Sequence, residues 1–207
     1  SGPGVTNALT GVVSAMRERL PVLVLAGEVP RSAFGRDAVQ EGSTFTFDAV
    51  GIMQKSTRLS TQLVHPGSAL STVRRAIEIA TGDDPGPVFL SLPIDVASSP
   101  CAAMTITGRV RRTIEPDDAA CARAFALLRE ARNPLIIAGA GARSARAALR
   151  RLAEATGAPV VTTPKGKGVV AEDHPLHLGG IGFGGHESAT RYLHAGVDVA
   201  IACGTSL

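Results

Sequence analysis

Pro21-Val22-Leu23-Val24-Leu25-Ala26-Gly27 is a short, continuous apolar run that ends on a glycine. A run of this length without alternation reads as a parallel strand covered on both faces. A helical pattern precedes it: Thr6 or Asn7 suits a cap for a helix through about Leu20, with Ala8, Leu9, Val12, Val13 and Met16 on one stripe. The alternation continues downstream. Residues 45–53 read as a second helix and Thr57-Arg58-Leu59-Ser60 as a short strand. Pro66-Gly67 opens an amphipathic helix with Leu70, Val73, Ile77 and Ala80 inward, and Pro85-Gly86-Pro87 stops it. Val88-Phe89-Leu90-Ser91-Leu92-Pro93 is then another buried strand. Helices alternating with such strands predict an α/β fold built on doubly wound parallel sheets.

From Ala97 to about Pro116 the pattern fades into small and polar residues, which reads as a linker. Asp117-Asp118 suit a helix N-terminus through capping and the helix dipole, and that helix runs to about Ala131. Leu135-Ile136-Ile137-Ala138 (strand), residues 143–156 (helix), Pro159-Val160-Val161 (strand), a Gly/Lys/Pro loop, residues 187–195 (helix) and Val197-Asp198-Val199-Ala200-Ile201-Ala202 (strand) follow. The expected organisation is a first domain over residues 1–98, a linker over 99–116 and a second domain over 117–207. No strand pattern precedes the opening turn Ser1-Gly2-Pro3-Gly4-Val5-Thr6-Asn7, and Gly204-Thr205-Ser206-Leu207 directly follow a strand. Both sheets are therefore expected to be incomplete.

Aromatic residues make up 3% of the chain and Trp is absent, so aliphatic side chains do the packing. So few rings argue against base stacking on single-stranded nucleic acid. The net charge is +3 and the basic residues are scattered, as in Arg17-Glu18-Arg19, which reads as a solvated surface with no nucleic-acid partner. Cys101, Cys121 and Cys203 are odd in number and lack CxxC spacing, which fits neither a disulfide framework nor a zinc site and suits the cytoplasm. No apolar run nears the roughly 18–20 residues of a membrane span, and no signal peptide precedes the first turn.

Several loops could carry chemistry. Gly139-Ala140-Gly141 stands between a strand and a helix, the setting of a dinucleotide loop. Ser144 occupies the third glycine position of that motif, and no acid ends the next strand, so a plain tight turn is an equal reading. Thr162-Thr163-Pro164-Lys165-Gly166-Lys167-Gly168 sets two lysines among glycines at a strand's carboxyl end, where open α/β sheets bind ligands. Gly179-Gly180-Ile181-Gly182-Phe183-Gly184-Gly185 reads as a third flexible loop in the same half. His174-Pro175-Leu176-His177 lacks partners at metal-ligand spacing, and no GxSxG marks a serine nucleophile. Asp37-Ala38-Val39-Gln40-Glu41 follows the first strand and offers an amide between acids; a capping cluster is an equal reading.

Together these segments resemble the thiamine diphosphate (ThDP)-dependent enzymes of the acetolactate synthase family. The resemblance rests on Gly2-Pro3-Gly4-Val5-Thr6-Asn7, Gly35-Arg36-Asp37-Ala38-Val39-Gln40-Glu41, Pro85-Gly86-Pro87-Val88, Leu92-Pro93-Ile94-Asp95-Val96 and the later glycine loops, in the family's order over nearly the whole chain. It implies the later part of a pyrimidine-binding domain followed by the early part of a Rossmann-like central domain. It carries over Gly2, Pro3, Gly4 and Asn7 as neighbours of the cofactor's aminopyrimidine. Gln40 matches the catalytic-site glutamine that faces the substrate pocket, and Lys55 a basic residue near the substrate channel.

The implied activity is the making or breaking of a C–C bond beside the carbonyl of a 2-oxo acid such as pyruvate, by cofactor chemistry. The implied activating glutamate lies upstream of this chain, and the Mg²⁺–diphosphate motif lies in a third domain, so the chain alone is expected to be inactive. The resemblance also implies a homodimer or homotetramer, since the cofactor sits between subunits. Gly139, Gly141, Thr163, Lys165 and Gly182 match places that cradle FAD in flavin-dependent relatives. The basic Pro164-Lys165-Gly166-Lys167 segment leaves FAD, ADP or an unliganded central domain open, and Val39, where the synthases commonly have Phe, leaves acetolactate synthesis itself open. On the residues alone, a nucleotide-binding dehydrogenase of NAD type and a non-enzymatic nucleotide-binding module are the alternatives.

Overall fold

The structure is a computed structural model that describes residues 1–101, 103 and 115–205. Most of the expected linker, residues 99–116, lies outside the described residues. The chain forms two compact units, each an α/β layer structure on its own parallel sheet.

In the first unit the elements are α1 (Pro3–Arg17), β1 (Leu23–Glu28), α2 (Ala49–Gln54), β2 (Leu59–Gln62), α3 (Pro66–Ala80), β3 (Val88–Pro93) and the short α4 (Ile94–Ala97). Helix α1 starts earlier than the capping pattern suggests. Pro3 sits in its first turn, where its fixed φ fits and its missing N–H costs nothing, and Gly2 is the N-cap at φ 55°. Thr6 and Asn7 are therefore inside the helix, and the Thr6 hydroxyl donates back to the Pro3 carbonyl at 2.8 Å. The helix ends at Arg17, short of Leu20. Val5, Val12 and Ala15 form its buried stripe, while Val13 lies further round the helix and is 44% exposed.

The three strands run parallel in the order β1-β3-β2. Central β3 matches the buried strand read from its sequence. Phe89 packs with Val5 and Val12 of α1 and Ala49 and Met53 of α2. On the opposite face Val88 and Leu90 pack with Ala76 and Ala80 of α3. This two-sided burial explains the unbroken apolar run. Strand β1 pairs with β3 alone among the described residues, and its Leu23 and Leu25 are 42% and 53% exposed, in keeping with a sheet expected to be incomplete. Helix α2 begins at Ala49, not Phe45, because Asp48 caps it by accepting from the Gly51 amide at 3.0 Å. Strand β2 begins at Leu59, later than expected; Thr57 is buried in the preceding turn and donates to the Met53 carbonyl.

The second unit contains α5 (Asp118–Glu130), β4 (Pro134–Ala138), α6 (Arg146–Thr156), β5 (Val160–Thr162), β6 (His177–Gly180), α7 (Glu187–His194) and β7 (Val199–Cys203). Asp117 caps α5 through the Ala120 amide at 3.1 Å, as the acidic pair suggests. Ala140–Ala145 form a 3₁₀ turn, so α6 starts three residues later than its sequence pattern. The strand order is β6-β5-β4-β7, all parallel. Leu128 of α5 and Leu149 and Ala153 of α6 cover one face; Ala189 and Tyr192 of α7 cover the other. The sheet is doubly wound, with its reversal between β4 and β7.

Strand β6 overturns the reading of Gly179 and Gly180 as part of a flexible loop. Gly179 pairs with Val161 at φ 97°, and a Cβ there would lie 2.6 Å from atoms of the His186 side chain. Glycine at that position serves close packing within the sheet edge, a requirement that looks identical to looseness in sequence.

Candidate functional site

Parallel strands deliver their following loops to one edge of a sheet, so each unit gathers candidate residues at its carboxyl edge. In the first unit, Gly2 and Gln40 meet. Gly2 is buried, and a Cβ on it would lie 2.9 Å from Gln40 Cβ. The Ser1 hydroxyl donates to Gln40 Oε1 at 2.8 Å. Gln40 itself holds φ 62°, in the left-handed region that non-glycine residues rarely occupy. The opening turn and the 35–43 loop thus form one surface. Pro3, Gly4 and Asn7 lie exposed on the first two turns of α1, and a Cβ on Gly4 would meet nothing within 4 Å. Lys55 is exposed at the C-cap of α2, where its amide donates to the Met53 carbonyl. Nothing in the structure ties it to Gln40.

Two buried carboxylates that sequence reading overlooked in this role bond to the 35–43 loop. Glu28, the last residue of β1, accepts from the Val29 amide at 2.9 Å and the Gly42 amide at 3.0 Å. Glu41 Oε1 accepts from the Gly35 amide at 2.8 Å and from the Ser43 hydroxyl. The Ser43 hydroxyl first, then the Gly35 amide, hold the Glu41 carboxyl below its usual pKa.

A further cross-link escaped notice in sequence. Arg31 Nε donates to Asp95 Oδ2 at 2.7 Å and its amide to Asp95 Oδ1 at 3.1 Å. Its guanidinium also donates to the Val64 carbonyl. One side chain thereby joins the segments that follow β1, β2 and β3. The Arg31 side chain is the main reason the Asp95 pKa falls below its usual value. The signal was in plain view, since Asp95 stands in the quoted Leu92-Pro93-Ile94-Asp95-Val96, but its partner is 64 residues away.

In the second unit, three loops interlock at the switch of the sheet. The Gly139 amide donates to the Cys203 carbonyl at 2.8 Å, Gly141 to Gly204 at 2.9 Å, and Thr163 to Ala138 at 3.0 Å. Added Cβ atoms would lie 2.3 Å from the Gly204 carbonyl oxygen at Gly139 and 2.2 Å from the Ala138 carbonyl oxygen at Gly166. These glycines let backbone pass backbone. The Thr163 side chain accepts from the Gly166 amide, and Arg143 Nη2 donates to the Lys165 carbonyl at 2.9 Å. Gly139, Gly141, Thr163 and Lys165 are therefore brought together. Gly182 follows β6 on the same edge at φ 87°, with no atom within 4 Å of an added Cβ, and the neighbouring Phe183 is fully exposed. Lys165 and Lys167 are exposed beside the interlocked glycines.

Open space beside the Gly4 backbone and the exposed Asn7 side chain suit a flat heterocycle with donors and acceptors. The lysine-bearing loops of the second unit suit phosphate. Among the described residues, no group of three His, Cys, Asp or Glu side chains has the arrangement of a metal site. No described helix is long and apolar enough to cross a membrane.

Comparison with known proteins adds two family matches. Residues 1–72 match the N-terminal TPP binding domain of thiamine pyrophosphate enzymes. Residues 121–207 match the central domain of the same enzymes. The chain is 38% identical over 214 residues to the probable acetolactate synthase large subunit of Methanocaldococcus jannaschii, covering 99% of the chain and 35% of the relative. It is 31% identical to the acetolactate synthase isozyme 1 large subunit of Escherichia coli, covering 99% of the chain and 36% of that protein. It is also 32% identical to 2-hydroxyacyl-CoA lyase 1 of Dictyostelium discoideum, over 100% of the chain and 35% of the lyase. The chain spans about a third of the length of the curated relatives it matches.

Proposed function

This chain belongs to the thiamine pyrophosphate enzyme family, and on that premise we propose that it supplies one wall of a thiamine diphosphate site in an enzyme acting beside the carbonyl of 2-oxo acids. The observation that carries the reading is the contact between the Gly2 turn and Gln40, which joins two family motifs into one surface. Thiamine diphosphate, when bound, supplies the electron sink for making or breaking the C–C bond. This chain's own residues position and enclose. Gly2, Pro3, Gly4 and Asn7 present backbone and amide groups to the pyrimidine ring, and Gln40 donates or accepts a hydrogen bond at the substrate. Lys55 adds a cation to the substrate channel. The Arg31–Asp95 link holds the three strand-end segments of the first sheet in fixed relation, which preorganises that wall.

The same proposal assigns residues 1–98 to the pyrimidine-binding domain and 117–207 to the central domain. Gly139, Gly141, Thr163, Lys165 and Gly182 would hold the diphosphate of a nucleotide, either FAD or ADP. Mg²⁺ and the cofactor's diphosphate bind elsewhere in the protein, which works as a homodimer or homotetramer in the cytoplasm. Whether the bond is made, as in an acetolactate synthase, or broken, as in a hydroxyacyl-CoA lyase, depends on the second substrate. The three relatives named above are two acetolactate synthases and a hydroxyacyl-CoA lyase, which favours this reading over a dehydrogenase.

The test is the full-length gene product supplied with ThDP, Mg²⁺ and a panel of 2-oxo acids. Saturable ThDP binding and CO₂ release are expected. Failure of both with every acid overturns the reading. Parallel titrations with FAD and ADP decide the ligand of the second unit, and turnover by the 207-residue chain alone would refute its dependence on the rest of the protein.

A further inference from the structure

Gln40 occupies a backbone conformation that costs a non-glycine residue free energy and persists only when its surroundings over-determine it. It is not alone: Asp37 at φ 55° and Asp48 at φ 49° lie in the same connection between β1 and α2. Something must hold this connection in shape. The Ser1 hydroxyl and the Gly2 backbone secure the Gln40 side chain, but neither fixes the Gln40 main chain.

Glu41 is the residue placed to do so. The residue is 3% exposed, and its amide, its carbonyl and its carboxylate Oε1 each bond within the connection. The amide donates to the Ala38 carbonyl at 3.1 Å, closing a turn across Gln40. The carbonyl accepts from the Thr46 hydroxyl at 2.7 Å. Oε1 accepts from the Gly35 amide at one end of the loop and the Ser43 hydroxyl at the other. One carboxylate oxygen therefore closes residues 35–43 on themselves, and Glu28 fastens the closed loop to the end of β1 through the Gly42 amide. Glu41 Oε2 is enclosed and makes no hydrogen bond, so the side chain's described bonds all go to the loop.

We propose that Glu41 is a positioning residue whose buried carboxylate closes the 35–43 loop and thereby holds Gln40 against the Gly2 turn. It touches neither substrate nor cofactor and acts through Gln40. The inference rests on the reading of Gln40 as a substrate-facing residue, and the experiment separates the two.

Hydrogen–deuterium exchange of the segment 35–42 is measured in the full-length protein and in the variants Glu41→Ala, Glu41→Gln and Ser43→Ala, alongside kcat and KM for a 2-oxo acid. Glu41→Ala is expected to speed exchange of the segment by about tenfold or more, because it frees the Gly35 amide and the Ser43 hydroxyl together. The same variant should lower kcat/KM by about ten- to a hundredfold. Glu41→Gln keeps a carbonyl acceptor for both donors and should recover most of the protection and turnover. Ser43→Ala should fall between the two. Wild-type exchange rates in Glu41→Ala and Ser43→Ala would overturn the proposal. If Glu41→Ala does not fold, Ser43→Ala and Glu41→Gln decide on the same measurement: faster exchange in Ser43→Ala supports the role and unchanged exchange overturns it. If exchange responds while Gln40→Ala leaves turnover intact, the positioning role stands and the functional assignment of Gln40 falls.

Discussion

Gly139 and Gly204 face each other across the switch of the second sheet so closely that a methyl group on Gly139 would lie 2.3 Å from the Gly204 carbonyl oxygen. Gly204 is equally constrained, with φ 63° and a hypothetical Cβ 2.2 Å from the Ala142 amide nitrogen. The opposing groups are backbone, which has no rotamer to yield.

Gly139→Ala is therefore expected to destabilise the second unit by about 1–3 kcal/mol, the usual cost of overpacking. Gly166→Ala, whose Cβ would meet the Ala138 carbonyl oxygen at 2.2 Å, should match it. Thermal or urea unfolding checks both. A melting curve for either variant that overlays wild type would mean that the loops separate easily.

In the first unit the glycine that caps α1 and one inside it should respond in opposite directions. Gly2→Ala places a methyl against Gln40 in a left-handed backbone and should cost about 1–2 kcal/mol, with weaker ThDP binding in the full-length protein. Gly11 lies in the interior of α1 with nothing within 4 Å of an added Cβ. Gly11→Ala should stabilise by about 0.4–1 kcal/mol through the loss of unfolded-chain freedom. Chemical denaturation of the two variants distinguishes these signs.

The Arg31–Asp95 link gives stability a defined pH dependence. Arg31 lowers the Asp95 pKa in the folded state, so the unfolded chain binds the proton more readily. The contribution is complete above the unfolded carboxyl's pKa and disappears as pH falls through the lower folded value. Asp95→Asn should flatten this acid limb without steepening the curve near neutrality. Melting temperatures of wild type and variant across pH 2–6 test it, and parallel curves would count against it.

Thiol accessibility offers a check that needs no cofactor. Burial pushes the Cys203 pKa up, while Cys101 and Cys121 are exposed. Iodoacetamide at neutral pH should label the two exposed cysteines well before Cys203. Equal labelling would show that the end of β7 opens readily.

Periodicity and propensity made much of the fold legible. The unbroken run of β3, the Pro66 start of α3 and the Asp117 cap are all local signals, and each element stands within a residue or two of its reading. What misled was context. The β1 run resembles that of β3, yet among the described residues β1 pairs on one side only; apolar composition does not reveal how many neighbours a strand has. Gly179 looked loose for a related reason: glycine permits close packing and free motion alike. At the site, motif recognition reached Gly2 and Gln40 separately. Their contact, like the Arg31–Asp95 pair, spans tens of residues and depends on parallel strands sharing an edge.

The strand order β6-β5-β4-β7 also bears on how the chain is made. Strand β4 is synthesised first but is flanked on one side by β7, which follows β5 and β6 in the chain. At translation speeds of about 5–20 residues per second, that flank of β4 waits on the order of several seconds for its partner. An apolar strand with an open side is a template for pairing with another nascent chain. The same order that gathers the glycine loops at one edge of the sheet leaves one flank of β4 unpaired until residues 199–203 emerge, and a synonymous codon change that slows synthesis there would lengthen that interval.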